Sequence, residues 1–248
     1  MDYNILSQDY DLTRDINIDT LKRILSKTDF NPDTKILDFG CGTGNYTCAV
    51  KKLTNAIVYG IEPSDGMREK AIAKKMDIIF LKGDHTKIPV DDNSIDLLYM
   101  TDVIHHVPDL HSMFNEFFRV LKSNGFICIL TESHTQIESR FWSAYFPSTV
   151  TAEQNRYPDI DTIINVATEC GLILDEINVT DYPNQIQITP DFVNLVEHKG
   201  YSMFRLISDT DFDNGLSALK RDFEKNVIIN TNHGESFIWL KKHKRHLT

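Results

Sequence analysis

The 248-residue chain has only four cysteines (Cys41, Cys48, Cys128, Cys170), in no CxxC pair and at no zinc-like spacing. That excludes a disulfide framework and a cysteine-built zinc site, and predicts reduced thiols. Long apolar runs are also missing. The longest, such as Phe126–Leu130, are strand-sized, far short of the ~18 residues that a membrane span requires. The start, Met1-Asp2-Tyr3-Asn4, has neither the basic nor the apolar region of a secretory leader, so the expectation is a cytoplasmic protein with no membrane association. Basic residues are in deficit: 26 Lys and Arg against 36 Asp and Glu give a net charge of −10, and four of the 26 lie between Lys241 and Arg245. The remaining body is more acidic still and lacks the basic face that nucleic acid demands, so no nucleic-acid partner is expected. Repeats, low-complexity tracts and Gly/Ser linkers are absent, which predicts a single domain over residues 1–248.

Short apolar runs alternate with helical patterns through the middle of the chain. Lys35–Phe39, Ala56–Glu62, Asp77–Gly83, Ile95–Thr101 and Gly125–Glu132 read as buried strands bounded by Gly, Pro, Asp or Asn. The clearest helix runs from Asp109 to Lys122. Leu110, Met113, Phe114, Phe117 and Leu121 form one apolar stripe, and Asn124-Gly125 stops it. Strands separated by helices pair in parallel through crossovers, giving a doubly wound α/β sheet. Two later strands are predicted at Leu172–Thr180, after a helix over about Asp159–Cys170 with Gly171 as its cap, and at Glu235–Lys242. The rest divides into an N-terminal helical lid segment (1–34) ahead of a core (35–132), and substrate-side lid segments at 133–158 and 181–230, the latter mostly helical.

Chemistry concentrates at the strand ends. Asp38-Phe39-Gly40-Cys41-Gly42-Thr43-Gly44 follows the first strand and opens a helix at Asn45–Leu53. Gly40 can turn the backbone sharply, a side chain at Gly42 would block a ligand on the loop, and Gly44 permits close packing. The bare helix N-terminus beyond offers N–H groups to a carboxylate. A dinucleotide fingerprint would place its third glycine at position 45, where the residue is Asn45, which argues against a nicotinamide-dependent reductase. Glu62 ends the second strand, where a carboxylate can accept from both hydroxyls of a ribose. Gly83-Asp84-His85 ends the third, and Asp84 can accept from an exocyclic amine such as that of adenine.

In this ordered set the chain resembles the class I S-adenosylmethionine-dependent methyltransferases of the small-molecule "methyltransferase type 11" or UbiE-like kind. The matching residues run from Tyr10 to Glu132. Ile36-Leu37-Asp38-Phe39-Gly40-Cys41-Gly42-Thr43-Gly44, then Glu62-Pro63-Ser64 with Met67, then Gly83-Asp84 with Ile88-Pro89 and Asp92-Asn93-Ser94-Ile95-Asp96, look like the first three motifs. His105-His106-Val107, and Phe114-Asn115-Glu116 through Arg119 to Gly125, look like the next two. The resemblance implies a Rossmann-like seven-stranded sheet of order 3-2-1-4-5-7-6, its last strand antiparallel, with S-adenosyl-L-methionine as cofactor and S-adenosyl-L-homocysteine as its product. It further implies that Gly40, Gly42 and Gly44 lie along the ribose and methionine, with Asp38 near the amino group. Glu62 would hold the ribose hydroxyls, Pro63 and Met67 would line the adenine, and Asp84 and the His85 backbone would read its edge. Thr101 would contact the methionine portion. Tyr10 and Arg14 resemble an entrance helix whose Tyr closes over the cofactor and whose Arg pairs with its carboxylate.

The reaction so implied moves a methyl group to an oxygen, nitrogen or carbon of a small-molecule acceptor by in-line displacement in a closed site. Positioning contributes about 7–11 kcal/mol to such a step, and aromatic faces near a sulfonium about 0.5–2 kcal/mol. A neutral acceptor must also lose a proton, for which His106 and His134 are the candidate bases, with His105 behind them. No metal is expected, since these histidines lack matching Cys or carboxylate spacing. In Arg140-Phe141-Trp142-Ser143-Ala144-Tyr145-Phe146-Pro147, Trp142 and Tyr145 are candidates to line an acceptor pocket or to form the core of the lid, and Arg156 and Tyr157 to read polar groups at its edge. The alternative to catalysis is a methyltransferase-like protein that binds the cofactor as a silent partner or regulator.

Overall fold

The computed structural model describes residues 16–181, 184–231 and 234–242. Five strands of the first half carry the predicted alternation: β1 (Lys35–Phe39), β2 (Ile57–Ile61), β3 (Ile79–Leu81), β4 (Ile95–Thr101) and β5 (Leu121–Thr131). Between them lie α2 (Asn45–Leu53), α3 (Asp65–Ala73) and α4 (Leu110–Val120), preceded by α1 (Ile18–Ile24). The second half adds α5 (His134–Glu138), α6 (Ser148–Gln154), α7 (Ile160–Glu169), β6 (Leu172–Asp181), β7 (Asn184–Gln187), α8 (Pro190–Glu197), α9 (Asp209–Glu224), β8 (Ile228–Thr231) and β9 (Gly234–Lys242).

Seven strands form one sheet in the order β3-β2-β1-β4-β5-β9-β6, the arrangement expected, with β9 antiparallel. Order reverses beside β1, which pairs in parallel with both β2 and β4. That switch point leaves a crevice at the carboxyl ends of the strands. β1, β4 and the later part of β5 from Ile127 bury nearly every side chain on both faces, as parallel strands covered by helices must.

Three boundaries depart from the sequence reading. Helix α4, capped by the Asp109 carboxylate on the Ser112 N–H, ends at Val120 rather than Lys122. Leu121 is already extended and pairs with Ile95, and the register shift beyond that pair absorbs Asn124 at φ +66°. β3 is a half-exposed edge strand of three residues, not a buried run, because nothing pairs on its outer side. The stretch read as mostly helical also contains an antiparallel ladder, β7 on β8, with Gln185 opposite Asn230 and Ile186 opposite Ile229.

Contacts gather into two compact units. The first takes the chain through Thr131, then Asp161–Ile177 and the segment from Phe237; the second takes Glu132–Ile160 and Asn178–Ser236. In the first, Leu21, Ile24, Ile36, Val58, Leu97, Tyr99, Phe237 and Trp239 are among the residues of one buried cluster. Lys242, the last residue of β9 as expected from the sequence, is buried. Its ammonium donates to Asn93 Oδ1 and to the carbonyls of Phe118 and Leu121 at 2.6–2.9 Å, satisfying the end of α4. The second unit has its own core around Phe146, Val196, Phe204, Phe212 and Leu219.

Because Trp239 is 1% exposed within the first cluster, Trp239→Ala is expected to cost about 3–5 kcal/mol in chemical denaturation. A loss below 1 kcal/mol would show that β9 does not carry the core.

Candidate functional site

The glycine turn is built by hydrogen bonds to the second strand. The Gly40 and Cys41 N–H groups both donate to the Ile61 carbonyl, at 2.8 and 3.0 Å, so the chain leaves β1 and doubles over the tip of β2. Gly40, Gly42 and Gly44 all take positive φ (74°, 54° and 80°), the left-handed region that disfavours any side chain. At Gly40 a Cβ would also lie 2.6 Å from Val103. Gly44 is the N-cap of α2 and supplies no side-chain cap.

Glu62 joins this turn to the next element. Its Oε2 accepts from the Gly42 N–H at 2.9 Å and its Oε1 from the Ser64 N–H at 2.8 Å. Each oxygen thus uses one lone pair on the backbone and keeps another for a hydroxyl. Burial to 7% exposure pushes its carboxyl above the usual range, while the two backbone N–H groups and the nearby Arg68 pull it down. Arg68 also donates to the Glu62 carbonyl at 3.1 Å, steadying the tip of β2. Asp38, 2% exposed, accepts from Thr47 Oγ1 at 2.6 Å. Burial raises its carboxyl to about 7, against that hydrogen bond and with the negative Glu62 adding to the rise.

Asp84 differs in being exposed. Its Oδ1 accepts from the Thr86 N–H and hydroxyl and from the Lys87 N–H, which holds its carboxyl below the ordinary value. Among the described residues Oδ2 takes no hydrogen bond and is available to a ligand amine.

These strand ends enclose a crevice of about 370 Å³ counting its open mouth, lined by Phe39, Gly40, Ile61, Pro63, Gly83, Asp84, His85, Val103, His106 and Val107. Apolar walls with a few polar groups among them are what a small ligand with an apolar face needs. Of the predicted residues, Gly40, Pro63, Asp84, His85 and His106 line it. Asp38, Gly42, Gly44, Glu62 and Thr101 are not among the lining residues, though Asp38 precedes Phe39, Glu62 lies between Ile61 and Pro63, and Thr101 ends β4 two residues before Val103. Met67, in the core at 2% exposure, is not among them either. Tyr10 and Arg14 fall outside the described residues. Sequence reasoning missed Phe39 and Ile61 at strand ends and Val103 and Val107 on either side of the 3-10 turn Ile104–His106, apolar residues whose only signal was their place in or beside the motifs.

His106 is exposed at the crevice, its ring 3.9 Å from that of His105. His134 belongs to the second unit. Its Nε2 donates to the Tyr157 carbonyl at 2.9 Å, which fixes the tautomer and leaves Nδ1 as its basic nitrogen when neutral. In the same unit Trp142 stacks on Tyr201 and Phe192, and Tyr145 donates to Asp222 at 2.8 Å, its phenol pushed up to about 12 by burial and that carboxylate. Arg156 is held by Glu153 and Ser202. Tyr157 is 6% exposed with the Arg140 guanidinium over its ring. Arg140 in turn pairs with Glu132 and Glu153, all three buried. Among the described residues no three His, Cys, Asp or Glu side chains gather to hold a metal, and no helix is long and apolar enough to cross a membrane.

Asp38 makes stability pH-dependent in a defined direction. An unfolded Asp titrates near ~4, and the folded one at about 7, so between those values the folded chain holds the extra proton. The contribution is whole below the lower value and is lost as pH rises through the upper one. The stability difference between wild type and Asp38→Asn is therefore expected to fall by roughly 4 kcal/mol from pH 4 to 8. Urea denaturation across that range checks it; a difference that stays flat would show an unshifted carboxylate, and one that grows with pH a lowered one.

Comparison with known proteins places this geometry. The family model of a methyltransferase domain matches residues 37–129. Over 99 residues, 37% of this chain, it is 36% identical to sterol 24-C-methyltransferase of Aspergillus fumigatus, of which the match covers 26%. The matches span from about a quarter to half of the length of such curated relatives. Among solved structures, a protein of Anabaena variabilis assigned as a methyltransferase of an antibiotic biosynthesis pathway superposes with a TM-score of 0.69 at 23% identity, covering 90% of this chain and 97% of that one. Phosphoethanolamine N-methyltransferase 2 of Haemonchus contortus, solved with phosphomonomethylethanolamine and S-adenosylhomocysteine, gives 0.59 at 18% identity, covering 98% and 58%. The sheet order, the glycine turn and the matched sequence agree: over residues 37–129 this chain is similar to methyltransferase domains, and its fold is the one such solved structures share.

Proposed function

We propose that the protein transfers a methyl group from S-adenosyl-L-methionine to an oxygen, nitrogen or carbon of a small-molecule acceptor. The observation that supports this reading best is Glu62 at the end of the second strand, whose two oxygens each accept one backbone N–H and have lone pairs left for the hydroxyls of a ribose diol. When bound, the cofactor supplies a methyl group on a sulfonium with a neutral thioether as leaving group.

The chain's residues have distinct tasks. The left-handed turn at Gly40, Gly42 and Gly44 lets the backbone approach the ligand, and the uncapped start of α2 takes the carboxylate of its amino-acid part. Asp38 serves the amino group beside it. Pro63, Phe39 and Val103 give the apolar walls for the base, and Asp84 Oδ2 accepts from its exocyclic amine. His106, exposed at the same crevice, takes the proton of a neutral acceptor. His134 is the second candidate base, through Nδ1. Acceptor recognition falls to the second unit, where Trp142 and Tyr145 offer ring surface and Arg156 and Tyr157 its polar edge. Relatives act on acceptors as different as sterols and phosphoethanolamine, so acceptor choice resides outside the matched core.

Calorimetry is expected to give micromolar affinity for S-adenosyl-L-homocysteine and no comparable response to NADH; the reverse preference would end this reading. Glu62→Ala is expected to weaken that affinity by about 1–3 kcal/mol, since ribose hydroxyls lose their acceptors. Unchanged affinity would remove Glu62 from the site. His106→Asn is expected to lower turnover far more than cofactor affinity, and equal losses in both would deny it the role of base.

A further inference from the structure

The segment between β3 and β4 supplies Gly83, Asp84 and His85 to the crevice, yet it has no ladder of its own beyond the isolated bridge between Asp84 and Lys87. Its remaining backbone groups are held from α4. The Ile88 N–H donates to Glu116 Oε2 at 2.7 Å, and the Arg119 guanidinium donates to the carbonyls of Ile88 at 2.7 Å and Val90 at 3.0 Å. Glu116 and Arg119 are themselves joined by two parallel bonds, Nε to Oε1 at 2.7 Å and Nη2 to Oε2 at 2.6 Å. Nη1 also reaches Asp92 at 2.6 Å. Both sides of residue 88 are therefore gripped by one charge-assisted fork, and Ile88 is fully buried behind it. Pro89, next in the grip, sits where a Cβ on Gly83 would lie 2.8 Å away, so the loop closes back on the crevice-lining residue.

We infer that Glu116 and Arg119 are positioning residues for the nucleobase wall, fixing Asp84 and His85 so that the crevice selects a base with an exocyclic amine. The inference deepens the cofactor reading above and rests on it. A planar fork is needed because it must meet a carboxylate on one edge and two carbonyls on the other, which a lysine ammonium cannot do. With the fork gone, the Asp84 turn keeps its own Thr86 and Lys87 bonds but loses its attachment to α4.

The test is calorimetry with S-adenosylhomocysteine and with its inosine counterpart, in which a carbonyl replaces the exocyclic amine. Wild type is expected to prefer the adenine form by tenfold or more. Arg119→Lys is expected to lose about tenfold in affinity for the adenine form and little for the inosine form, collapsing the preference. Glu116→Gln is expected to act in the same direction. Asp92→Asn, which removes only the exposed arm of the fork, is expected to leave the preference intact. Equal losses for both ligands would reduce the pair to a structural role and overturn the inference, as would an unchanged preference in Arg119→Lys. Should both variants fail to fold, hydrogen exchange on wild type decides: a protected Ile88 amide supports the grip, and a freely exchanging one refutes it. Wild type that binds neither ligand defeats the cofactor reading as well; wild type that binds, with variants that discriminate normally, defeats this inference alone.

Discussion

One carboxylate, taken largely out of water, ties the glycine turn to the second strand. Glu62 accepts from Gly42 on one side and Ser64 on the other, and the turn reaches back through Gly40 and Cys41 to the Ile61 carbonyl. A half-satisfied buried carboxylate is costly, so these bonds stabilise both the acid and the strained loop around it. The left-handed glycines, the bare start of α2 and the placement of Val103 against Gly40 all depend on that junction.

Charge is distributed unevenly among the acids at the strand tips. Asp38 and Glu62 are buried and pushed toward the neutral form, whereas Asp84 is exposed, held by its own turn and pushed toward the ionised form. Carboxyl groups at neighbouring strand tips thus have different tasks because their environments differ, not because their side chains do. The second unit handles charge in another way. Arg140 sits among Glu132, Glu153 and the rings of Trp142 and Tyr157, and Arg156 returns to Glu153, so its buried charges are internally paired.

Much of this architecture was legible in the sequence because it follows from periodicity and turn chemistry. The ends of β1 and β4 and the whole of α2 agree with the residues that pattern and glycine placement pick out. Legibility fails where tertiary pairing overrides local preference. Leu121 continues a helical stripe yet leaves α4 to pair with Ile95. The β7–β8 ladder is built from short, partly polar segments 40 residues apart, a pairing that no local pattern announces. At the site, the charged and glycine residues were readable because chemistry restricts them to few types. The apolar wall residues Phe39, Ile61, Val103 and Val107 look like any apolar residue at a strand end or turn. Met67 is buried on α3, as Glu62 is buried at the end of β2.

The central claim is that the turn at 40–44 and the tips of the second and third strands form one receptor for an adenosyl amino acid. Amide NMR of labelled protein titrated with S-adenosylhomocysteine tests it most directly. The account predicts saturable shifts gathered at Gly40, Gly42, Gly44, Glu62, Asp84 and His85. Shifts absent from those amides, or gathered elsewhere in the chain, would contradict it.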